Sequence, residues 1–163
     1  MDTQNDGASL EPRTPKVSDL VSLCRELNKV TAKYIVIGGM AVIQWGNTRA
    51  TEDIDLLIET SQENQEKVKT ALRTLPDKAV NEVRPTDLEE YQVVRVVDEF
   101  IVDLMAKACG ISYEEAKESI KVVIIEGIEI PIASPELLWR MKQTMREKDN
   151  LDLMFLKELL NKK

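Results

Sequence analysis

Asp53 and Asp55 flank Ile54 in the run DIDLLI, whose apolar, partly β-branched remainder is that of a strand. In a strand the two carboxylates leave one face while Ile54 points to the other. Aspartate is disfavoured in strands and like charges on one face repel, so the pair costs stability unless a cation offsets it. Asp103 lies in FIVDLM, where Ile101, Val102 and Leu104 suit a core and a lone carboxylate does not. If its strand lies beside that of Asp53, three carboxylates converge; a register slip of one residue would turn Asp103 to solvent. Three oxygen ligands with open positions are what magnesium accepts, the rest of its shell being water and substrate phosphate. Two such ions about 4 Å apart would clamp the attacking and leaving oxygens of a displacement at an α-phosphate. Asp103 would also be placed to take the proton of the attacking hydroxyl.

The second chemical element is Gly38-Gly39, which follows the apolar run Tyr34–Ile37 and precedes Met40–Trp45, a segment suited to a short helix. A strand, a glycine turn and a helix in that order let backbone N–H groups approach phosphate. Glycines alone fit tight backbone packing equally well. Here thirteen residues separate them from the Asp-Ile-Asp, and the combination points to a triphosphate held beside metal.

The remaining composition narrows the chemistry. No histidine occurs among the 163 residues, which excludes His-based acid–base catalysis, Ser-His-Asp triads and His-ligated zinc. Cys24 and Cys109 form no CxxC and are expected to be reduced and buried. The net charge of −7 disfavours an extensive nucleic-acid surface. No run approaches the roughly 20 apolar residues of a membrane helix. Residues 1–16 are polar and lack an apolar h-region, so they are expected to be a flexible tail and not a signal peptide, with a cytoplasmic location.

The elements that must position these residues can be followed along the chain. Apolar residues at Val17, Leu20, Val21, Cys24, Leu27 and Val30 predict an amphipathic helix from Val17 to about Lys33. Strands are expected at Tyr34–Ile37 and Ile54–Ile58, and Ser61 caps a helix to about Leu72. A loop spans Pro76 to Pro85. The runs 91–97 and 100–104, separated by Asp98-Glu99, predict a hairpin, and 122–125 with 128–132, joined at Glu126-Gly127, predict another. Between them Ser112 and Glu115 form a capping box for a helix from Tyr113 to about Ser119. Ser134-Pro135 opens a C-terminal helical segment, residues 134–161. The whole predicts one α+β domain, residues 17–163, with a mixed, mostly antiparallel sheet flanked by helices.

The segment YIVIGGMAVIQWGNTRATEDIDLLI resembles the signature of the polymerase-beta-like nucleotidyltransferase superfamily: a hydrophobic strand, Gly-Gly or Gly-Ser, Asp-x-Asp, and a third acidic residue on a later strand. The resemblance implies that fold, a nucleoside triphosphate as substrate, and magnesium or manganese on Asp53, Asp55 and Asp103 as catalytic and metal-binding residues. It implies triphosphate contacts for Gly38, Gly39 and Arg49. The segment SPELLWRMKQTMREKDNLDLMFLKELL is similar to the end of prokaryotic nucleotidyltransferase-like proteins related to the abortive-infection toxin group. That similarity draws in Lys142 and Arg146 as nucleotide-binding residues, with Lys148 and Asp149 as candidate site or structural residues. At Gly39 the chain departs from the Gly-Ser of minimal nucleotidyltransferases and aminoglycoside-modifying enzymes, and so has no serine hydroxyl there. The implied reaction moves a nucleoside monophosphate from a triphosphate to a hydroxyl on protein, RNA or a small molecule. The alternative is a non-catalytic nucleotide-binding module or toxin–antitoxin partner on the same fold. Read from the residues alone, Arg49 equally suits a surface pair with Glu52 or Asp53, and Lys142 to Asp149 a solvated helix face with i,i+4 pairs. Trp45 and Trp139 suit the core.

Overall fold

The computed structural model describes residues 11–143 and 147–162, without the side chains of residues 147 and 148. Helix α1 (Val17–Lys29) buries Leu20, Val21, Leu23, Cys24 and Leu27 along one stripe. It stops four residues short of the expected Lys33, because Thr31 adopts a left-handed φ of 55° and the chain turns there into β1 (Tyr34–Ile37). Helix α2 (Gly38–Gln44) follows at once, and β2 (Asp53–Ile58) returns antiparallel to β1. In α3 (Gln62–Leu72) the Ser61 hydroxyl accepts from the Asn64 amide at 3.1 Å, the cap its sequence predicts.

The expected loop before β3 contains a 3-10 turn (Ala79–Glu82) and the short α4 (Asp87–Glu90). Buried Asp98 organises the first of these, accepting from the amides of Asp77 at 3.0 Å and Ala79 at 2.8 Å. Because α4 occupies 87–90, Tyr91 to Val93 are not strand, and the hairpin consists of β3 (Val94–Val97) and β4 (Ile101–Met105). A small ribbon, β5 (Lys107–Ala108) with β6 (Ile111–Ser112), leads into α5 (Tyr113–Ala116), which has the predicted capping box but ends three residues before Ser119. The second hairpin, β7 (Ile120–Ile125) and β8 (Ile128–Ala133), turns at Glu126 (φ 52°) and Gly127 (φ 81°), the paired left-handed conformations of a two-residue turn. Helices α6 (Pro135–Met141) and α7 (Glu147–Asn161) complete the chain.

The six main strands lie in the order β3-β4-β2-β1-β8-β7. The β3–β4, β2–β1 and β8–β7 pairs are antiparallel, whereas β4–β2 and β1–β8 are parallel, so the sheet is mixed and mostly antiparallel. Central β1 is buried at every position, as a strand with helices on both faces must be. Helix α1 packs on α3 and β8, while α2 lies on β1 and β2 and meets α6 and α7. Trp45 donates its indole N–H to the Ala133 carbonyl at 2.9 Å and, like Trp139, packs on the core. Within the stretch expected as a flexible tail, residues 1–10 lie outside the described residues. Arg13 pairs with Asp19 at 2.7 Å and Glu99 at 3.0 Å and stands over the Phe100 ring. Cys24 is buried as expected and its thiol is pushed up to about 12 by burial, but Cys109 is exposed, in a left-handed turn beside Gly110. No helix among the described residues is long and apolar enough to cross a membrane.

The Ser134 hydroxyl accepts from the Leu137 amide at 3.1 Å and holds the start of α6 behind β8. Ser134→Ala is expected to lower stability by about 1 kcal/mol in urea denaturation, with an unchanged slope.

Candidate functional site

The parallel pairing of β2 with β4 decides where the carboxylates meet. Its register sets Asp55 against Asp103, and β3 sets Arg95 against Asp103 in turn. Residues opposed in register share a face, so Arg95, Asp103 and Asp55 form one row across three strands, with Asp53 two residues along β2. The slip that would turn Asp103 outward does not occur: Asp103 is 4% exposed. Asp53, Asp55 and Asp103 each present an oxygen within 4.8 Å of the other two.

Burial and mutual repulsion define the electrostatics. Asp55 is pushed well above the ordinary carboxylate range by burial first, and then by the charges of Asp53 and Asp103. Asp53 is raised as well, by burial and by Asp103. The Arg95 guanidinium answers part of this charge. Its Nε and Nη2 donate to the two oxygens of Asp103 at 2.9 Å each, and Nη2 also reaches Asp53 Oδ2 at 3.2 Å. Asp55 Oδ1 is buried and accepts no hydrogen bond among the described residues. An oxygen-only donor set with one orphaned buried oxygen fits a hard divalent cation.

Gly38 closes the row from the β1 side. Ile37 is in register with Asp55, and Gly38 then adopts a φ of 70°. A β-carbon on Gly38 would collide with the Asp55 carboxylate. Glycine is thus required twice over, by conformation and by space. Gly38, Gly39, the three aspartates, Arg49 and Lys142 all line one cleft of about 660 Å3. A second hollow of about 550 Å3 adjoins it, sharing Arg49, Thr51 and Asp53 and bounded by Leu151 of α7.

The basic candidates are arranged differently from a solvated face. Arg49 bonds neither Glu52 nor Asp53; its Nε pairs with Asp152 Oδ1 at 3.0 Å. Lys142 is buried, 3.0 Å from Asp152 Oδ2 and 3.3 Å from Asp149 Oδ1. Asp152 and Asp149 are fully buried, so Asp152 bridges two cations that both border the cleft and fixes α7 to it. Arg146 and the Lys148 side chain lie outside the described residues. Arg95 and Thr51 also line the cleft, and Asp152 anchors Arg49 and Lys142 at its edge, though none of the three belongs to a motif. Arg95 carries a legible signal, since VRVV places it on the face of β3 opposite the buried Val94 and Val96.

The family model described as nucleotidyl transferase AbiEii toxin, type IV toxin–antitoxin system, matches residues 22–147. Among curated proteins, none matches the chain by sequence. A provisionally described nucleotidyltransferase from Thermotoga maritima superposes with a TM-score of 0.57 at 16% identity, over 90% of this chain and 93% of its own. An antigenic nucleotidyltransferase-like protein from Paracoccidioides brasiliensis superposes with a TM-score of 0.57 at 20% identity, over 91% of this chain and 78% of its own. At such identities the two structures establish the shared fold.

A carboxyl whose folded-state pKa lies above its unfolded value loses stability as pH rises from the unfolded towards the folded value, so ionised Asp55 weakens the metal-free fold at neutral pH. Asp55→Asn is therefore expected to raise the melting temperature in chelator at pH 7.5 by roughly 2–4 °C, the effect of about 1 kcal/mol in a domain of this size. The gap should close as the pH is lowered towards 4. Arg95→Ala has the opposite sign: it strands Asp103 and lowers the melting temperature by a similar amount, recovered by adding Asp103→Asn.

Proposed function

The chain belongs to the AbiEii nucleotidyltransferase toxin family, and on that premise we propose that it transfers a nucleoside monophosphate from a triphosphate to a hydroxyl acceptor on protein, RNA or a small molecule. The observation that carries the proposal is the meeting, in one cleft, of the diglycine turn with three convergent carboxylates. Nucleotide recognition and acid-rich chemistry sit within a few ångströms because Gly38 directly abuts Asp55.

Asp53, Asp55 and Asp103 would hold magnesium or manganese. Bound there, the metal would neutralise phosphate charge and lower the barrier to displacement at the α-phosphate. The chain's own groups divide the other tasks. The amides of Gly38 and Gly39 approach the triphosphate without a side chain between. Arg49, fixed by Asp152, offers a positive charge at the same wall of the cleft. In the transfer the acceptor oxygen bonds to the α-phosphorus, the bond to the bridging oxygen breaks, and pyrophosphate leaves with that electron pair. The acceptor's proton passes to Asp103, whose oxygens must first be released by Arg95. Lys142 serves the same cleft from behind, its charge lowering the cost of ionised Asp55.

The test is incubation with each α-labelled triphosphate, magnesium and cell extract, followed by identification of the labelled molecule. A labelled product dependent on metal is expected, with loss of at least a hundredfold in Asp53→Ala and Asp55→Ala while both variants stay folded. Triphosphate binding with no labelled product would instead assign the chain to the non-catalytic binding modules of this fold. Unchanged labelling in either variant would overturn the assignment of the aspartates.

A further inference from the structure

Thr51 lies between α2 and β2 and is only 8% exposed, yet it lines the cleft beside Gly39 and Asp53. Its side chain fills space that Gly39 leaves free. A β-carbon on Gly39 would stand 2.7 Å from Thr51 Oγ1, 3.1 Å from Thr51 Cβ and 2.5 Å from Arg49 Nη1. Thus the 49–51 segment, and not position 39 itself, supplies the polar groups at the second glycine.

The hydroxyl is weakly committed. Its hydrogen bond among the described residues is a donation to the Asp53 carbonyl at 3.3 Å, beyond the usual reach of an O–H···O bond. A buried hydroxyl forfeits water and gains little from so long a contact. Its surroundings show what would complete it. Beside it stand the Arg49 guanidinium, a donor crowding the same Gly39 position, and Asp53, one of the three converging carboxylates that would hold a cation. Next to a guanidinium and a carboxylate cluster that would hold a cation, the group complementary to a hydroxyl donor is a phosphate oxygen.

We propose that Thr51 donates a hydrogen bond to a phosphate oxygen of the bound triphosphate and so provides the hydroxyl contact that glycine at position 39 cannot make. This rests on the triphosphate reading above and deepens it. The contact recognises phosphate and not base, so it governs affinity for any nucleotide alike. Arg49, immobilised on Asp152, keeps the neighbouring positive charge in place and leaves the hydroxyl to turn from the Asp53 carbonyl to the ligand.

The full-length protein with magnesium is titrated with inorganic tripolyphosphate and with each of the four nucleoside triphosphates, by calorimetry and thermal shift. Thr51→Val is expected to weaken every one of these by about tenfold or more, the usual loss for a hydrogen bond to a charged group. Thr51→Ser should stay near wild type, and manganese binding without polyphosphate should be unchanged in Thr51→Val. Thr51→Ala, which removes the hydroxyl without a branched replacement, should show the same loss, a comparison that holds even if Thr51→Val does not fold. Wild-type affinity in Thr51→Val or Thr51→Ala, with wild-type binding intact, overturns the proposal and leaves the triphosphate reading standing. Failure of the wild type to bind any of the five ligands overturns both.

Discussion

Bringing Asp53, Asp55 and Asp103 within 4.8 Å of one another on a largely buried sheet face works against folding twice, through desolvation and through mutual repulsion. Much of the surrounding structure is arranged against that cost. Arg95 covers Asp103 and part of Asp53 from the edge strand, and Lys142 adds positive potential near Asp55. Asp55 Oδ1 nevertheless accepts no hydrogen bond among the described residues, and both β2 carboxyls are displaced upward in pKa. A fold optimised for stability alone would not keep this group; a fold that recruits a cation to it would.

The same constraint explains the close fit of the two chain segments around it. Gly38 cannot carry a side chain because the Asp55 carboxylate fills that space, and Gly39 cannot because Arg49 and Thr51 do. The helical C-terminus is coupled to the same point. Asp152 on α7 holds Arg49 and Lys142 together, so the last helix helps set the position of charges at the cleft and not only the packing of the core. The chain's membership in a nucleotidyltransferase toxin family and the fold it shares with two distant solved structures concern the scaffold on which this cleft is built.

What was legible in the chain follows the range of each interaction. The Ser61 and Ser134 caps, the capping box at Ser112 and the Glu126-Gly127 turn are decided within four residues, and each is where its pattern predicts. Asp-Ile-Asp and Gly-Gly were visible because their costs are local. The convergence of Asp103 depended on a parallel pairing between β2 and β4, which no local pattern encodes. Tyr91 to Val93 looked like strand, but the four-residue α4 stops it. Arg49, Lys142 and Asp152 were invisible as a network because the partners lie up to 103 positions apart, and a buried Lys–Asp contact has the same local sequence as a solvated one. Cys109 departed from expectation because its apolar context in the chain became a solvent-facing turn.

On this reading the three-carboxylate row is a cation site shared with a triphosphate. Anomalous diffraction from crystals grown with manganese and a non-hydrolysable triphosphate analogue decides it. The expected result is a manganese peak ligated by Asp53, Asp55 and Asp103, with phosphate oxygens completing its shell and the Gly38-Gly39 turn against the polyphosphate. Analogue bound in the cleft with no manganese at these carboxylates, or manganese held elsewhere while Arg95 stays on Asp103, would contradict it.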